Sequence, residues 1–269
     1  SFTGKNYVER TVLKAIKNDI ALYAIHTNLD NVHTGVNKKL ADKIGLVNTK
    51  VLVPKKEVIK QLVTYVSSDY AQLVREALFN AGAGRLGNYS ECSFSVVGEG
   101  TFKPSQDANP VVGKRGELEE VVEERIEVLF PSFMESKVIS ALKEAHEYEE
   151  VAYSILSIDN ENQNVGSGMI GELSDAQNSL EFLQHLKNKL NAQGVRYTSL
   201  VKNKVKKIAI CGGAGSFLLN AAIRSNSDVF ITGDFKYHEF FDAENNIIIA
   251  DVGHYESEQF TKDLIADFL

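Results

Sequence analysis

Three apolar runs in this chain each lead into a histidine and a carboxylate spaced four positions apart. The run 246–250 leads through Asp251 and Gly253 to His254 and Glu258, and the run 20–25 ends at His26 and Asp30. The run 228–232 opens on Asp234 and His238. Apolar stretches of this length suit strands buried on both faces, as in a sheet covered by helices on either side. Such strands carry their last residue to the C-terminal edge of the sheet, where open α/β folds place ligands. The pattern therefore constrains the chain to a layered α/β architecture with its polar chemistry on one sheet edge.

A helix opening near Tyr255 would set His254 and Glu258 about one turn apart, so that imidazole and carboxylate converge. That pairing is a coordination motif for Zn²⁺, Mn²⁺ or Fe²⁺. The same residues also suit an ordinary helix start, where acids in the first turn are favoured. His26 fits a metal-site residue or a hydrogen-bonded histidine at a strand end. Asp30 fits a ligand or an Asx turn or N-cap before the next helix. Asp234 and His238 suit groups that orient ligands or shuttle protons, and equally a capping acid with an exposed histidine.

Between the expected strand 205–210 and the helix after it lies a glycine-rich segment, 211–216. Gly212, Gly213 and Gly215 there could turn backbone N–H groups toward a phosphate, or simply make a tight turn. The segment lacks the Lys-Ser/Thr ending of a P-loop and the full dinucleotide fingerprint. His33, His146 and His185 read as residues outside the chemistry.

With 269 residues, 43% of them hydrophobic, the chain has material for a large core in one or two domains. The formal charge of −7 argues against nucleic acid as a partner, since a phosphate-backbone binder needs a basic face. No apolar run approaches the roughly 20 residues of a membrane span, and no basic-then-apolar leader stands at Ser1. Cys92 and Cys211 are far apart with no CxxC spacing, which fits the reducing cytoplasm.

The run of elements predicts a host domain split by an insert. A helix over 8–17, the strand 20–25 and a helix over 35–44 come first. From about Lys50 the texture changes to strand (51–54), helix (71–81), two strands (within 89–102 and 116–130), helix (136–145) and strand (151–158). This β-α-β-β-α-β order is the ferredoxin-like split βαβ. The polar stretch 159–164 reads as the exit linker, after which the glycine-rich 166–173 resumes the host, with Ser174 capping a helix through Leu190. The expected fold is thus a layered αβα host domain, 1–50 with 161–269, carrying an α+β insert at 51–160.

Several segments together resemble one family: 26–31 (His-Thr-Asn-Leu-Asp-Asn), 35–37 (Gly-Val-Asn), 166–173, 211–216, 232–238 (Thr-Gly-Asp-Phe-Lys-Tyr-His) and 253–258 (Gly-His-Tyr-Glu-Ser-Glu). It is the family of GTP cyclohydrolase I type 2 homologues, also called NIF-three-like, and the resemblance spans the whole host domain. The insert, with its 80–84, 88–94, 98–104 and 116–119 segments, is similar to the PII-like domain of many bacterial members. The resemblance implies a centre of two divalent cations (Zn, Mn or Fe), with ligands at Asp30, His254 and Glu258 and with His26 at or near the site. Asp30 and Glu258 would bridge the cations. It also implies toroidal hexamers with PII-like inserts at the ring ends and the metals facing an internal cavity. Family members carry an earlier segment with a His-His-Pro motif, and Ser1 reads as a start beyond it. Met169 departs from the residue many members have in the glycine-rich segment.

The function expected on these grounds is metal-dependent hydrolysis of a nucleotide or another phosphorylated small molecule. Asp234 or His238 would handle protons, and the 211–216 segment would receive phosphate. The alternative expectation is a non-enzymatic metal-binding scaffold or regulator with a ligand-sensing insert.

Overall fold

The computed structural model describes residues 3–269, so the opening Ser1 and Phe2 lie outside the described residues. In chain order it comprises α1 (Tyr7–Lys17), α2 (Thr27–Asp30), α3 (Val36–Ile44), β1 (Val47–Lys55), β2 (Ile59–Ser67), α4 (Ser68–Asn80), β3 (Ser93–Phe102) and β4 (Glu119–Pro131). There follow α5 (Glu135–Ala145), β5 (Tyr153–Ile158), β6 (Asn162–Asn178), α6 (Ser179–Lys189), β7 (Arg196–Tyr197) and β8 (Lys204–Ala214). The C-terminal elements are α7 (Leu219–Arg224), β9 (Val229–Gly233), β10 (Ile248–Asp251), α8 (His254–Glu258) and α9 (Thr261–Phe268). Two compact units result: one holds the chain through Val53 together with Asn164–Leu269, the other Pro54–Gln163. Among the described residues no helix is long and apolar enough to cross a membrane.

The first unit is built on a six-stranded sheet in the order β1-β6-β8-β9-β10-β7. β8, β9 and β10 run parallel, while β6 and β7 pair antiparallel at their flanks. Their apolar residues alternate between two cores, as the two-residue period of a strand requires. Ile208, Ile210, Val229, Ile231, Ile248 and Ala250 pack with Leu40 of α3 and with Phe182 and Leu186 of α6. Ala209, Cys211, Phe230, Ile247 and Ile249 face the other way, against Leu218, Leu219 and Ala222. Helical layers therefore cover both faces of the central strands, which explains why these strands read as unbroken apolar runs.

The second unit has a four-stranded antiparallel sheet in the order β3-β4-β2-β5, with α4 and α5 on one face. Its core joins Leu62, Val66, Ile126, Val128 and Phe130 of the sheet to Val74, Leu78, Val138 and Leu142 of the helices.

Several local expectations are corrected. Residues 20–26 form no strand, and Ile20, Leu22 and Tyr23 are exposed. Apolar character alone does not make a strand: the backbone needs a neighbouring strand to pair with, and none among the described residues pairs with this segment. The 51–54 segment lies within β1, beside β6 in the larger sheet, rather than opening the smaller one. That role belongs to β2, whose apolar Ile59, Leu62, Val63 and Val66 fall at the helical spacing i, i+3, i+4, i+7 instead of alternating. The polar 162–164 stretch begins β6 rather than forming a linker, and β6 continues through 166–173 to Asn178. The following helix is capped by Asn178, whose Oδ1 accepts from the N–H of Leu180 at 3.0 Å and of Glu181 at 3.3 Å, and not by Ser174.

Candidate metal centre

Parallel pairing sets the C-terminal ends of β8, β9 and β10 side by side, with Ala214 opposite Gly233 and Thr232 opposite Asp251. Asp234 and His254 therefore leave the sheet at one edge, and α8 begins at His254 itself. The His254 Nδ1 lies 2.7 Å from Asp234 Oδ2, and its Nε2 lies 3.3 Å from Oε2 of Glu258, one helical turn on. The imidazole is thus held between two carboxylates. Asp234 adopts the left-handed conformation, with φ of 58°, which is uncommon outside glycine and concentrates at functional loops. Asp251, almost fully buried, fixes that turn by accepting from the N–H of Phe235 at 3.0 Å and of Gly253 at 2.9 Å. Arg196 pairs with the same carboxylate and donates to the Phe235 carbonyl at 2.8 Å.

Asp30 reaches the site from the N-terminal part of the chain. It ends α2 and does not cap the next helix, whose N-cap is Gly35. Its segment is stitched to the sheet by the Gly166 N–H donating to the Asn31 carbonyl at 2.8 Å and by an isolated bridge between Val32 and Val165. Buried Asn37 adds a clamp, donating from Nδ2 to the Asp30 carbonyl and accepting the Gly212 N–H on Oδ1, both at 2.9 Å.

Electrostatics connect these groups. Burial raises the pKa of the Asp30 carboxyl, and the charges of His26 and His254 partly offset it. Burial likewise raises Glu258, with His254 and His26 pulling it down and Asp30 pushing it up. The hydrogen bond to Asp234, reinforced by the charge of Glu258, raises His254 against the opposing effect of its partial burial. The Cys211 thiol is pushed up to about 12, first by burial and then by the charges of Asp30 and Glu258. The charges of His26 and His254 therefore bear on both Asp30 and Glu258, although these residues come from opposite ends of the polypeptide. Among the described residues, no three His, Cys, Asp or Glu side chains are gathered closely enough to hold an ion by themselves.

The glycines of 211–216 serve the site differently from the phosphate cradle the sequence suggests. Residues 211–214 belong to β8 rather than to a loop. The Gly212 N–H is taken by Asn37, the Gly213 N–H by Ser257 Oγ at 2.9 Å, and the Gly215 N–H by Thr232 Oγ1 at 2.9 Å. These donors are engaged inside the fold instead of facing an anion. Gly213 instead makes room: its φ is 66°, and a Cβ there would stand 2.4 Å from Glu258 Oε1 and 3.2 Å from His254 Nε2. His238 is exposed on a 3₁₀ turn (Tyr237–Ala243), and no hydrogen bond or ion pair among the described residues joins it to His254, Glu258 or Asp30. His146 and His185 each direct Nε2 at a backbone carbonyl, of Tyr65 and Ile44 respectively, away from this centre.

Asn37, Ser257, Thr232 and Asp251 are the residues that sequence reasoning missed. Asn37 left a trace, as a polar residue on the stripe of α3 that otherwise holds Leu40, Ala41 and Ile44. Ser257 and Thr232 left none, because their partners are backbone groups distant in sequence.

Comparison with known proteins relates the chain to a family. A "GTP cyclohydrolase 1 type 2 homolog" of Bacillus subtilis (strain 168) is 42% identical over 256 residues, covering 94% of this chain and 68% of its own length. The protein of the same name from Halalkalibacterium halodurans is 40% identical over 247 residues, covering 91% and 66%. The chain thus spans about two thirds of the length of these curated relatives. Among solved structures, a Bacillus cereus protein related to NIF3 superposes with a TM-score of 0.80 at 39% identity, covering 100% of this chain and 74% of that one. The sequence profile of the Duf34/NIF3 (NGG1p interacting factor 3) family matches residues 1–269, and the chain belongs to that family.

Proposed function

We propose that the chain binds divalent metal through Asp30, His254 and Glu258, with His26 nearby, and that the complete site holds two cations and hydrolyses a nucleotide or another phosphorylated small molecule. The observation that carries this reading is His254 held by Asp234 with its other nitrogen turned to Glu258, the arrangement by which a carboxylate fixes the tautomer and aim of a metal-binding histidine. The fit is supported by chemistry and by space. Asp30 and Glu258 are half-buried acids of like charge, which a cation would stabilise, and the missing Cβ of Gly213 leaves room beside Glu258 and His254.

A bound divalent cation supplies Lewis acidity and lowers the pKa of water. The chain's own residues do the rest. Asp234 keeps Nδ1 of His254 protonated, which leaves Nε2 as a donor of electrons. Asn37 and Ser257 hold the Asp30 and Glu258 segments against β8. Asp234, within hydrogen-bond reach of an imidazole, is the residue suited to pass protons.

Titration calorimetry with Zn²⁺ and Mn²⁺ tests the binding. Asp30→Asn and Glu258→Gln should each weaken it while the protein stays folded, and unchanged affinity in both variants would overturn the reading. Turnover of a nucleotide and phosphoester panel by the metal-loaded protein tests the hydrolase part.

A second reading, a non-enzymatic metal-binding scaffold or regulator, is favoured by the internal engagement of the Gly212, Gly213 and Gly215 N–H groups, which removes the expected phosphate cradle. Loss of assembly without any turnover to lose would identify it. On either reading the four-stranded unit serves as a PII-like insert and the protein assembles as a ring of six copies, which light scattering measures.

A further inference from the structure

We propose that the second unit carries a binding site for an organic amine, a small ligand with an apolar body and one positively charged nitrogen. A cavity of about 580 Å³ opens within this unit. That volume lies in the range of small-molecule sites, which are mostly apolar with a few convergent polar groups. Val96, Phe102, Val111 and Val112 supply apolar walls, and Tyr65 and Tyr148 add aromatic ones. The loop 103–112 forms one side and is tied down by the Asn109 N–H donating to Glu149 Oε2 at 3.1 Å.

The strand β3 makes the space. A Cβ on Gly98 would meet nothing within 4 Å, so that position is open. A Cβ on Gly100 would fall 2.3 Å from Glu123 Oε2, so the glycine lets this carboxylate lie flat across the strand at the cavity wall. Register explains the placement, since Gly98 stands opposite Glu123 and Val96 opposite Arg125.

Charge chooses the ligand. Four lining residues are acidic (Glu99, Glu123, Glu149 and Glu150) against two basic ones, Lys103 and Arg125. Arg125 is already paired with Glu127 at 2.8 Å. The lining therefore repels phosphates and carboxylates and favours a cation. Tyr148 is pushed up to about 12, first by burial and then by Glu123, so its hydroxyl stays protonated and donates toward that carboxylate. An ammonium group would meet Glu123 beside Tyr65 and Tyr148, and aromatic rings attract cations.

This proposal is independent of the metal reading, because every lining residue falls between Tyr65 and Ala152. The test is titration calorimetry on chelator-treated protein with phenethylamine, its matched acid 3-phenylpropionate, and ATP. The amine should bind saturably with one site per chain, and the acid and ATP should not. Glu123→Gln should weaken the amine about tenfold or more, as expected for losing a charge-assisted contact. Val111→Trp, on the exposed part of the wall, should block binding without touching the acid. Equal binding of acid or ATP, amine binding indifferent to both substitutions, or no saturable amine binding up to millimolar concentration would each overturn the proposal.

Discussion

Asp234 Oδ2 stands 2.7 Å from His254 Nδ1, joining the ends of two parallel strands through a single hydrogen bond. That bond decides which histidine nitrogen is left for a ligand. Asp234→Asn keeps the size of the side chain but removes the charge that fixes the tautomer. Metal affinity should fall roughly 10- to 100-fold, the usual effect of losing such a partner. Chelator competition measures it, and an unchanged constant would show that Asp234 only caps the turn.

The pH dependence of the metal-free protein follows from the same cluster. Asp30 and Glu258 have raised pKa values because burial disfavours their charge. Their cost to folding is full above the raised values and is relieved as pH falls through them. His254 is raised mainly by the Asp234 hydrogen bond. Its contribution is complete below the ordinary histidine value and is lost as pH rises through the raised one. Both effects make the metal-free protein more stable in mild acid than at mildly alkaline pH. Glu258→Gln should flatten that slope and raise the metal-free melting temperature at pH 8. Thermal melts across pH check it, and a steeper slope in the variant would contradict it.

Gly213→Ala introduces two faults at once. The left-handed backbone costs an L-residue about 1–2 kcal/mol, and the new methyl would stand 2.4 Å from Glu258 Oε1. Urea unfolding should show a loss of at least that order together with weakened metal binding. Wild-type stability would mean that the backbone there relaxes freely.

Asn37→Ala strips partners from the Gly212 N–H and the Asp30 carbonyl. Leaving a buried backbone group unpaired costs about 1–3 kcal/mol, and these half-buried ones fall toward the lower end. Hydrogen exchange should speed up at Gly212 above all. Full protection there would argue against the clamp.

The parts of this fold legible in sequence are those set by local pattern. β9 and β10 read as strands because both faces are buried, and α3 and α6 read as helices from their apolar stripes. The exposed 20–26 segment misled because hydrophobicity carries no information about whether a partner strand exists. β6 misled because the polar 159–164 stretch reads as a linker and Ser174 as a helix cap, while the strand runs from Asn162 to Asn178 and pairs with β8 from Met169 onward. Asp234 and His254 were legible as residues following strands, but their mutual hydrogen bond depends on parallel register between β9 and β10. His238 shares the spacing of Asp30 with His26 yet turns to solvent, so spacing alone does not select a site residue.

Anomalous diffraction at the metal absorption edge, on crystals loaded with Zn²⁺ or Mn²⁺, tests the central claim most directly. The account predicts a cation touching Asp30, His254 Nε2 and Glu258, with its peak lost in the Asp30→Asn, Glu258→Gln double variant. A well-ordered site without a peak after loading, or a cation bound only elsewhere on the chain, would contradict it.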